Sequence, residues 1–517
     1  MSGIIEMEQN REFTYRHRKE AAEENYFLTK PVEQRPLPVY DEVKEQLPSP
    51  IWEGHGYAIK SYWKAWEIAF GNLRKPIEGT GFVSPYIDTA FNGCTFMWDS
   101  CFMLMFGKYA DKLFHFQGTL DNFYSHQHKD GYICREIVEE TGGDHFTRFD
   151  PSATGPDIMA WCEWEYFLQF GDRERLERVF PPLMAYHLWM AENHTWPDGT
   201  YFSSGWGCGM DNIPRLMPGY SVHFSHGHMV WVDACMQELN NCRILIEMAR
   251  ILGREEYTEE LATEQVRLEK VINEKLWDEE TGFYYDLWKN GEKNGTMHIG
   301  AFWALIAECA SKERAERMIA RLHDEKTFKT PHRIPSLARN HELYRPEGEY
   351  WQGGVWAPTN YMVLKGLDNY KQYALSHEIA MEHLYAVTET FQETGTFYEN
   401  YAPEYIYDGK PGKGNIAKAD FVGWTGLVPI AVLFEFVFGI KPDAKANRII
   451  WDIRLTEKHG VERYPFGRDG ELTLICEARA SVTEKPVVTV ISNRPIEVLV
   501  YYGEENARKS FVEKGGE

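Results

Sequence analysis

The sequence predicts a mainly α-helical chain, an (α/α)6 barrel followed by a small C-terminal antiparallel β domain, and three observations carry that prediction. Amphipathic helical segments succeed one another from about residue 56 to 440 with little strand signal between them. The linkers alternate between short turns and long stretches rich in Gly, aromatic residues and carboxylates. Beyond about residue 441 the periodicity changes to short β-branched runs separated by turn residues.

Taken in chain order, residues 1–55 are charged and dotted with proline (KPVEQRPLPVY, QLPSPIW) and are expected to form an arm that wraps the body. Residues 56–440 hold SYWKAWEIAFGNLRK, DIMAWCEWEYFLQFGD, RLERVFPPLMAYHLWMAENH and MVWVDACMQELNNCRILIEMARILG, with apolar residues at three- and four-residue spacing. About twelve such segments, arranged in pairs and ending at GWTGLVPIAVLFEFVFG, suggest six helical hairpins closed into two concentric rings. No fixed sequence period marks them, which disfavours a solenoid of repeats. Short connections such as FGDRERLE are expected on one face. The long ones, 80–98, 126–153, 196–225, 325–353 and 393–422, are expected to gather on the other and to hold the site. Residues 441–517 (RIIWDIRL, ELTLICEARA, PVVTVISN, IEVLVYYG) read as a small antiparallel sheet or sandwich packed against the barrel, without catalytic features.

Composition narrows the function. The net charge of -23 argues against nucleic acid or an anionic membrane surface as partner, since both carry the same sign. No uninterrupted apolar run is long enough to span a bilayer. The first residues lack the basic head, apolar stretch and small-residue cleavage site of a signal peptide. Nine cysteines, an odd number with no regular spacing and no CxxC, fit reduced thiols in a cytoplasmic protein. Aromatic residues make up 15%, including 17 Trp and 29 Tyr, and such side chains can stack on the C–H faces of sugars while bonding their hydroxyls.

Cleaving a glycosidic bond with inversion needs two carboxyl groups on opposite sides of the anomeric carbon, one as acid and one activating water. Two loops far apart in the chain offer them. In SGWGCGMDNIPR (204–215), Asp211 sits where glycines let the backbone approach a ligand; an Asp capping a turn is the plainer alternative. In TGTFYENYAPE (394–404), Glu399 lies between Tyr398 and Tyr401; a solvated surface Glu is the alternative there. Other loops read as binding walls: FNGCTFMWDSCF with Trp98 and Asp99, HQHKDGYICREI with Gln127, Arg135 and Glu136, and EYWQGGVWAPTNY with Trp351 and Trp356 around a glycine pair. His223, His226 and His228 in HFSHGH could in principle ligate a metal, but no acidic helix motif accompanies them, so neither metal nor cofactor is expected.

Five of these motifs, in order across some 330 residues, resemble glycoside hydrolase family 63, which includes processing α-glucosidases and bacterial mannosylglycerate and glucosylglycerate hydrolases. They are Met97-Trp98-Asp99, Gly131-Tyr132-Ile133-Cys134-Arg135-Glu136, Gly209-Met210-Asp211-Asn212-Ile213-Pro214-Arg215, Trp351-Gln352-Gly353-Gly354-Val355-Trp356 with Asn360-Tyr361, and Tyr398-Glu399-Asn400-Tyr401-Ala402-Pro403; a Gly423-Trp424-Thr425 segment follows. Gln352 and Ala402 depart from the family's usual Arg and Asp. The resemblance implies an inverting, exo-acting α-glycoside hydrolase with Asp211 as acid and Glu399 as base. It also implies a substrate-binding set of Trp98, Asp99, Gln127, Arg135, Glu136, Asn212, Arg215, Trp351, Gln352, Gly353, Trp356, Asn360, Tyr361 and Trp424. In that scheme a raised pKa keeps Asp211 protonated while Glu399 is ionised. A trehalase-like hydrolase, a sugar epimerase and a non-catalytic carbohydrate-binding protein are the rival readings.

Overall fold

The structure, a computed structural model, describes residues 22–89 and 93–516. The first 21 residues of the expected arm, and Phe91 and Asn92 of the first wall segment, lie outside the described residues.

Two kinds of helix alternate along the chain. One kind is apolar all round: α2 (Met97–Gly107) is buried at every position, and so is the wide i→i+5 helix Val428–Val437 near the end of the helical region. The other kind buries a single stripe. In α7 (Thr258–Val271) only Leu261, Glu264 and Leu268 are fully buried. The buried kind continues through α4 (Met159–Phe170), α6 (Val232–Leu252), α8 (Trp303–Ile306) and α10 (Ala357–Asn369). Each of these touches the next, and the turn Thr425–Leu427 that leads into the last helix returns to touch α2, so the row closes on itself. The helices α1 (Gly56–Gly71), α3 (Gly118–Ser125), α5 (Arg173–Asn193), α7 and α11 (Tyr373–Thr394) pack against the buried ones, α3 being itself buried at all positions but Ser125, and the short α9 (Lys312–Ala320) lies between α8 and α10 in the chain.

Short connections follow from local chemistry. Gly171, at φ +67°, ends α4 in the left-handed region, and the next residue, Asp172, accepts a hydrogen bond from the Arg175 N–H to start α5. The FGDRERLE turn read from the sequence is therefore a C-cap followed directly by an N-cap.

The strands form two four-stranded sheets. The first pairs β1 (Ser49–Trp52) with β6 (His459–Phe466), then β7 (Gly470–Cys476) and β8 (Val488–Ser492), all antiparallel. The second runs β10 (Lys509–Gly515), β9 (Ile496–Tyr502), β5 (Arg448–Asp452) and β4 (Ile440–Asp443). Two expectations are corrected here. The sheet region is not wholly antiparallel, because β9 and β5 run parallel with Val498 opposite Ile449 and Val500 opposite Trp451. Parallel neighbours need a long crossover, and residues 453–495 supply it while forming most of the other sheet. Nor is the N-terminal region only an arm, since Ser49–Trp52 is an edge strand of the first sheet.

Candidate active site

The long loops meet on one face, where they tie one another down. Met97 N–H donates to Arg135 O at 2.8 Å, and the short strands β2 (Cys94–Phe96) and β3 (Glu136–Val138) pair with Phe96 opposite Glu136. Ser152 and Ser204 share a 2.8 Å hydrogen bond that joins the next two loops. Asn212 Oδ1 accepts from Trp351 N–H at 2.8 Å, and Val355 and Tyr401 exchange both backbone hydrogen bonds. Trp424 closes the circuit by donating from its indole to Glu399 O at 2.8 Å.

These ties enclose a cavity of about 270 Å³. Of the residues expected at the site, Trp98, Asp99, Arg135, Glu136, Asp211, Trp351, Glu399 and Trp424 line it. Close packing of the loops requires particular glycines. At Gly209, with φ +73°, a Cβ would lie 2.7 Å from the Trp98 ring, and at Gly205 one would lie 2.0 Å from Val222 O. Trp351 is backed by Trp356 in a parallel stack with centroids 4.0 Å apart, so Trp356 supports the wall without lining it. Trp98 stands 6.3 Å from both Trp351 and Trp424.

Glu399 is held from two sides. Tyr350 Oη donates to its Oε1 at 3.0 Å, and the Lys418 N–H donates to Oε2 at 3.3 Å. A carboxylate with both oxygens accepting is oriented as an acceptor. Tyr350 itself has φ +59°, an uncommon conformation for a non-glycine residue, of the kind that clusters at functional sites. Burial and then the Glu399 carboxylate push the Tyr350 phenol up, so it stays protonated and able to donate.

Four carboxyl groups, Asp99, Glu136, Asp211 and Glu399, share this cavity with Arg135. The arginine is already engaged: Nη1 pairs with Glu136 Oε1 at 2.6 Å, Nε donates to Ser152 O at 2.7 Å, and the guanidinium lies 4.6 Å over Phe146. Burial raises Asp211 to about 6, opposed by Arg135, and raises Glu399 to about 7, opposed by its two donors and reinforced by Asp211. Burial also raises Asp99 and Glu136. The expected elevation at Asp211 is present, but Glu399 is raised further, so the expected order of a protonated Asp211 beside an ionised Glu399 is reversed, because both carboxyls face the same desolvated space.

The remaining expected residues have other partners. Gln127 Nε2 donates to Gly131 O and Pro182 O, and its Oε1 accepts from Asn25. Arg215, fully buried, forks onto Asp233 at 2.8 Å, pairs with Asp286 and stacks 4.1 Å over Trp231. Asn360 bonds both backbone groups of Ile334, and Tyr361 Oη bonds Glu435 in a buried cluster with Lys108 and Lys365. Asn212, Gln352 and Gly353 shape the backbone beside Trp351: Asn212 accepts from Trp351 N–H, Gln352 Nε2 donates to Asn212 O at 3.4 Å, and Gly353 adopts φ +114°. None of these seven lines the cavity. The HFSHGH histidines pack in an aromatic cluster, with His226 5.2 Å from both Trp196 and Phe202.

Tyr350, Phe96, His145, Phe146, Gly155, Pro156 and Trp206 line the cavity without having been anticipated. Tyr350 adjoins the WQGGVW motif and Trp206 lies within SGWGCG, so position in those motifs could have flagged them. Nothing in the local pattern singles out His145 or Phe146.

A mainly helical scaffold whose long loops converge on an aromatic-walled, carboxylate-rich cavity defines a glycoside hydrolase, and comparison with known proteins agrees. The chain belongs to the mannosylglycerate hydrolase MGH1-like glycoside hydrolases, a domain whose family model matches residues 94–415. A mannosylglycerate hydrolase of Thermus thermophilus is 24% identical over 389 residues, covering 62% of this chain and 90% of its own. A probable mannosyl-oligosaccharide glucosidase of Schizosaccharomyces pombe is 26% identical over 344 residues, 62% of this chain but only 39% of that longer protein. Among solved structures, a family 63 mannosylglycerate hydrolase of Thermus thermophilus in complex with glucose superposes with a TM-score of 0.56 at 21% identity, over 71% of this chain and 98% of that one. A neutral trehalase of Saccharomyces cerevisiae shares the fold with a TM-score of 0.55 at 15% identity, over 68% and 73% of the two chains. No described helix is long and apolar enough to cross a membrane.

Proposed function

We propose that this chain is an inverting, exo-acting α-glycoside hydrolase built on an (α/α)6 barrel (residues 56–440) with a C-terminal β domain (441–517), that Asp211 is its general acid and that Glu399 is its general base. The closed row of buried helices supports the barrel. The single observation that carries the roles is the pair of donors on Glu399: Tyr350 Oη and the Lys418 N–H hold it as an acceptor facing the cavity that Asp211 also lines. In that arrangement Glu399 takes a proton from the attacking water, and Asp211 gives one to the departing glycosidic oxygen. Trp98, Trp351 and Trp424 stack on the terminal sugar, and Asp99, Glu136 and Arg135 hold its hydroxyls. The substrate is a small α-glucoside or α-mannoside, in keeping with the named activities of the relatives. A cytoplasmic location is supported by nine cysteines, all free and buried, and the charge of -23 disfavours nucleic acid as partner.

Proton NMR of the reaction over a panel of α-glucosides and α-mannosides tests this, with wild type and Asp211→Asn side by side. The expected result is the β-anomer appearing first with wild type and a rate lower by about 10²- to 10⁴-fold in the variant. The α-anomer appearing first would overturn inversion, and full activity in Asp211→Asn would overturn the acid.

A further inference from the structure

The hairpin that carries Arg135 and Glu136 also gathers a mixed set of donor atoms that hydrolysis does not require together. Cys94 Sγ lies 3.8 Å from His145 Nδ1, and His145 Nε2 lies 3.9 Å from Glu136 Oε2. One ligating atom from each of the three falls within 4.8 Å of the other two. The backbone holds them in place. Cys94 and Phe96 pair with Val138 and Glu136 across the two strands, putting Cys94 and Glu136 on one face. The His145 N–H donates to Glu136 O at 3.0 Å, continuing the ladder.

We propose that Cys94, Glu136 and His145 form a binding site for a borderline-soft divalent cation of the zinc class on the wall of the catalytic cavity, and that occupancy of this site inhibits hydrolysis. One sulfur, one imidazole nitrogen and one carboxylate oxygen suit zinc, cobalt or cadmium; calcium and magnesium take oxygen donors. Three protein ligands leave a fourth tetrahedral position for water. Tetrahedral zinc bound through Nδ1 would bring sulfur and nitrogen to roughly 3.5 Å apart, a small closure from 3.8 Å, while the Glu136 oxygen, which lies within 4.8 Å of the other two ligand atoms, closes by up to roughly an ångström more. The imidazole can supply that movement, because its side chain is 45% exposed. Coordination releases the Cys94 thiol proton to solvent. Glu136 can serve two partners, since Oε1 faces Arg135 while Oε2 faces His145.

Inhibition, unlike binding, rests on the hydrolase reading, because a captured Glu136 is lost to the sugar hydroxyls. The expected loss is about ten- to a hundredfold in kcat/KM, the scale of one hydrogen bond to a charged group.

The test is a cobalt titration of the full chain, followed by thiolate-to-cobalt absorption, with zinc inhibition measured in parallel. Wild type should develop the thiolate band at one equivalent of cobalt, whereas Cys94→Ser and His145→Ala should not. Cys94 does not line the cavity, so Cys94→Ser should keep wild-type turnover and resist zinc. Circular dichroism confirms folding, with Cys94→Ala as the substitute if the serine variant fails. No band in wild type, or a band that persists in Cys94→Ser, overturns the site. A band without zinc inhibition of an active enzyme overturns the inhibitory role. If no glycoside is turned over, the cobalt band still decides the site independently of the hydrolase reading.

Discussion

Tyr350 Oη and Glu399 Oε1, 49 positions apart in the chain, lie 3.0 Å apart at the wall of the cavity, with Tyr350 in the left-handed backbone region. The phenol orients one oxygen of the carboxylate and leaves the lone-pair direction for water to the rest of the cavity, which makes Tyr350 a positioning residue. Tyr350→Phe should therefore lower kcat by about ten- to a hundredfold, the scale of a hydrogen bond to a charged acceptor. The bond also holds the Glu399 carboxyl down, so its loss should move the alkaline limb of the pH profile to higher pH. A purely structural tyrosine would lower stability and leave that limb in place.

The pH dependence follows from the pair. Asp211 stands at about 6 and Glu399 at about 7. Hydrolysis needs one proton on the pair, placed on Asp211, which is the less populated of the two singly protonated forms because Glu399 stands higher. Below about 6 both carboxyls are protonated and the base is lost; above about 7 both are ionised and the acid is lost. A plot of kcat/KM against pH should be a narrow bell with its maximum between those values. A plateau extending to about pH 9 would remove Asp211 from the role of acid.

Glu399→Gln separates stability from activity. The folded state raises the Glu399 carboxyl from 4.5 to about 7, mainly by burial. Folding therefore favours the protonated form, and the contribution is complete below about pH 4.5 and is lost as pH rises through about 7. The amide keeps an acceptor for Tyr350, gives up the longer 3.3 Å bond from the Lys418 N–H and cannot ionise. The variant should be inactive yet more stable than wild type by about 1 to 3 kcal/mol at about pH 8, with the difference vanishing near about pH 4. Paired urea titrations at the two pH values measure it.

Arg215 sits in the same loop as Asp211 but pairs with Asp233 and Asp286, both fully buried. Arg215→Met should cost about 3 to 5 kcal/mol of stability by removing the guanidinium that two buried carboxylates share. A residue that bound the sugar would instead raise KM without moving the thermal midpoint.

The order of helices, the change to strands near residue 441 and the loops carrying Asp211 and Glu399 were all readable from the sequence. Each is written locally: apolar spacing of three and four, a glycine followed by an aspartate at the turn after Phe170, glycines flanking a carboxylate. Partnership was decided elsewhere. An arginine in a glycine-rich loop can reach into a cavity or neutralise buried acids. For Arg215 the outcome depended on Asp286, 71 residues away, which packing alone brings into range. Gln127 and Tyr361 were likewise drawn to Asn25 and Glu435, 102 and 74 residues distant. Tyr350 at Glu399, His145 beside Cys94 and the parallel pairing of Ile496–Tyr502 with Arg448–Asp452 have the same origin. Local periodicity reports which face of a segment turns away from water, whereas the group that meets a given side chain there is set by long-range packing.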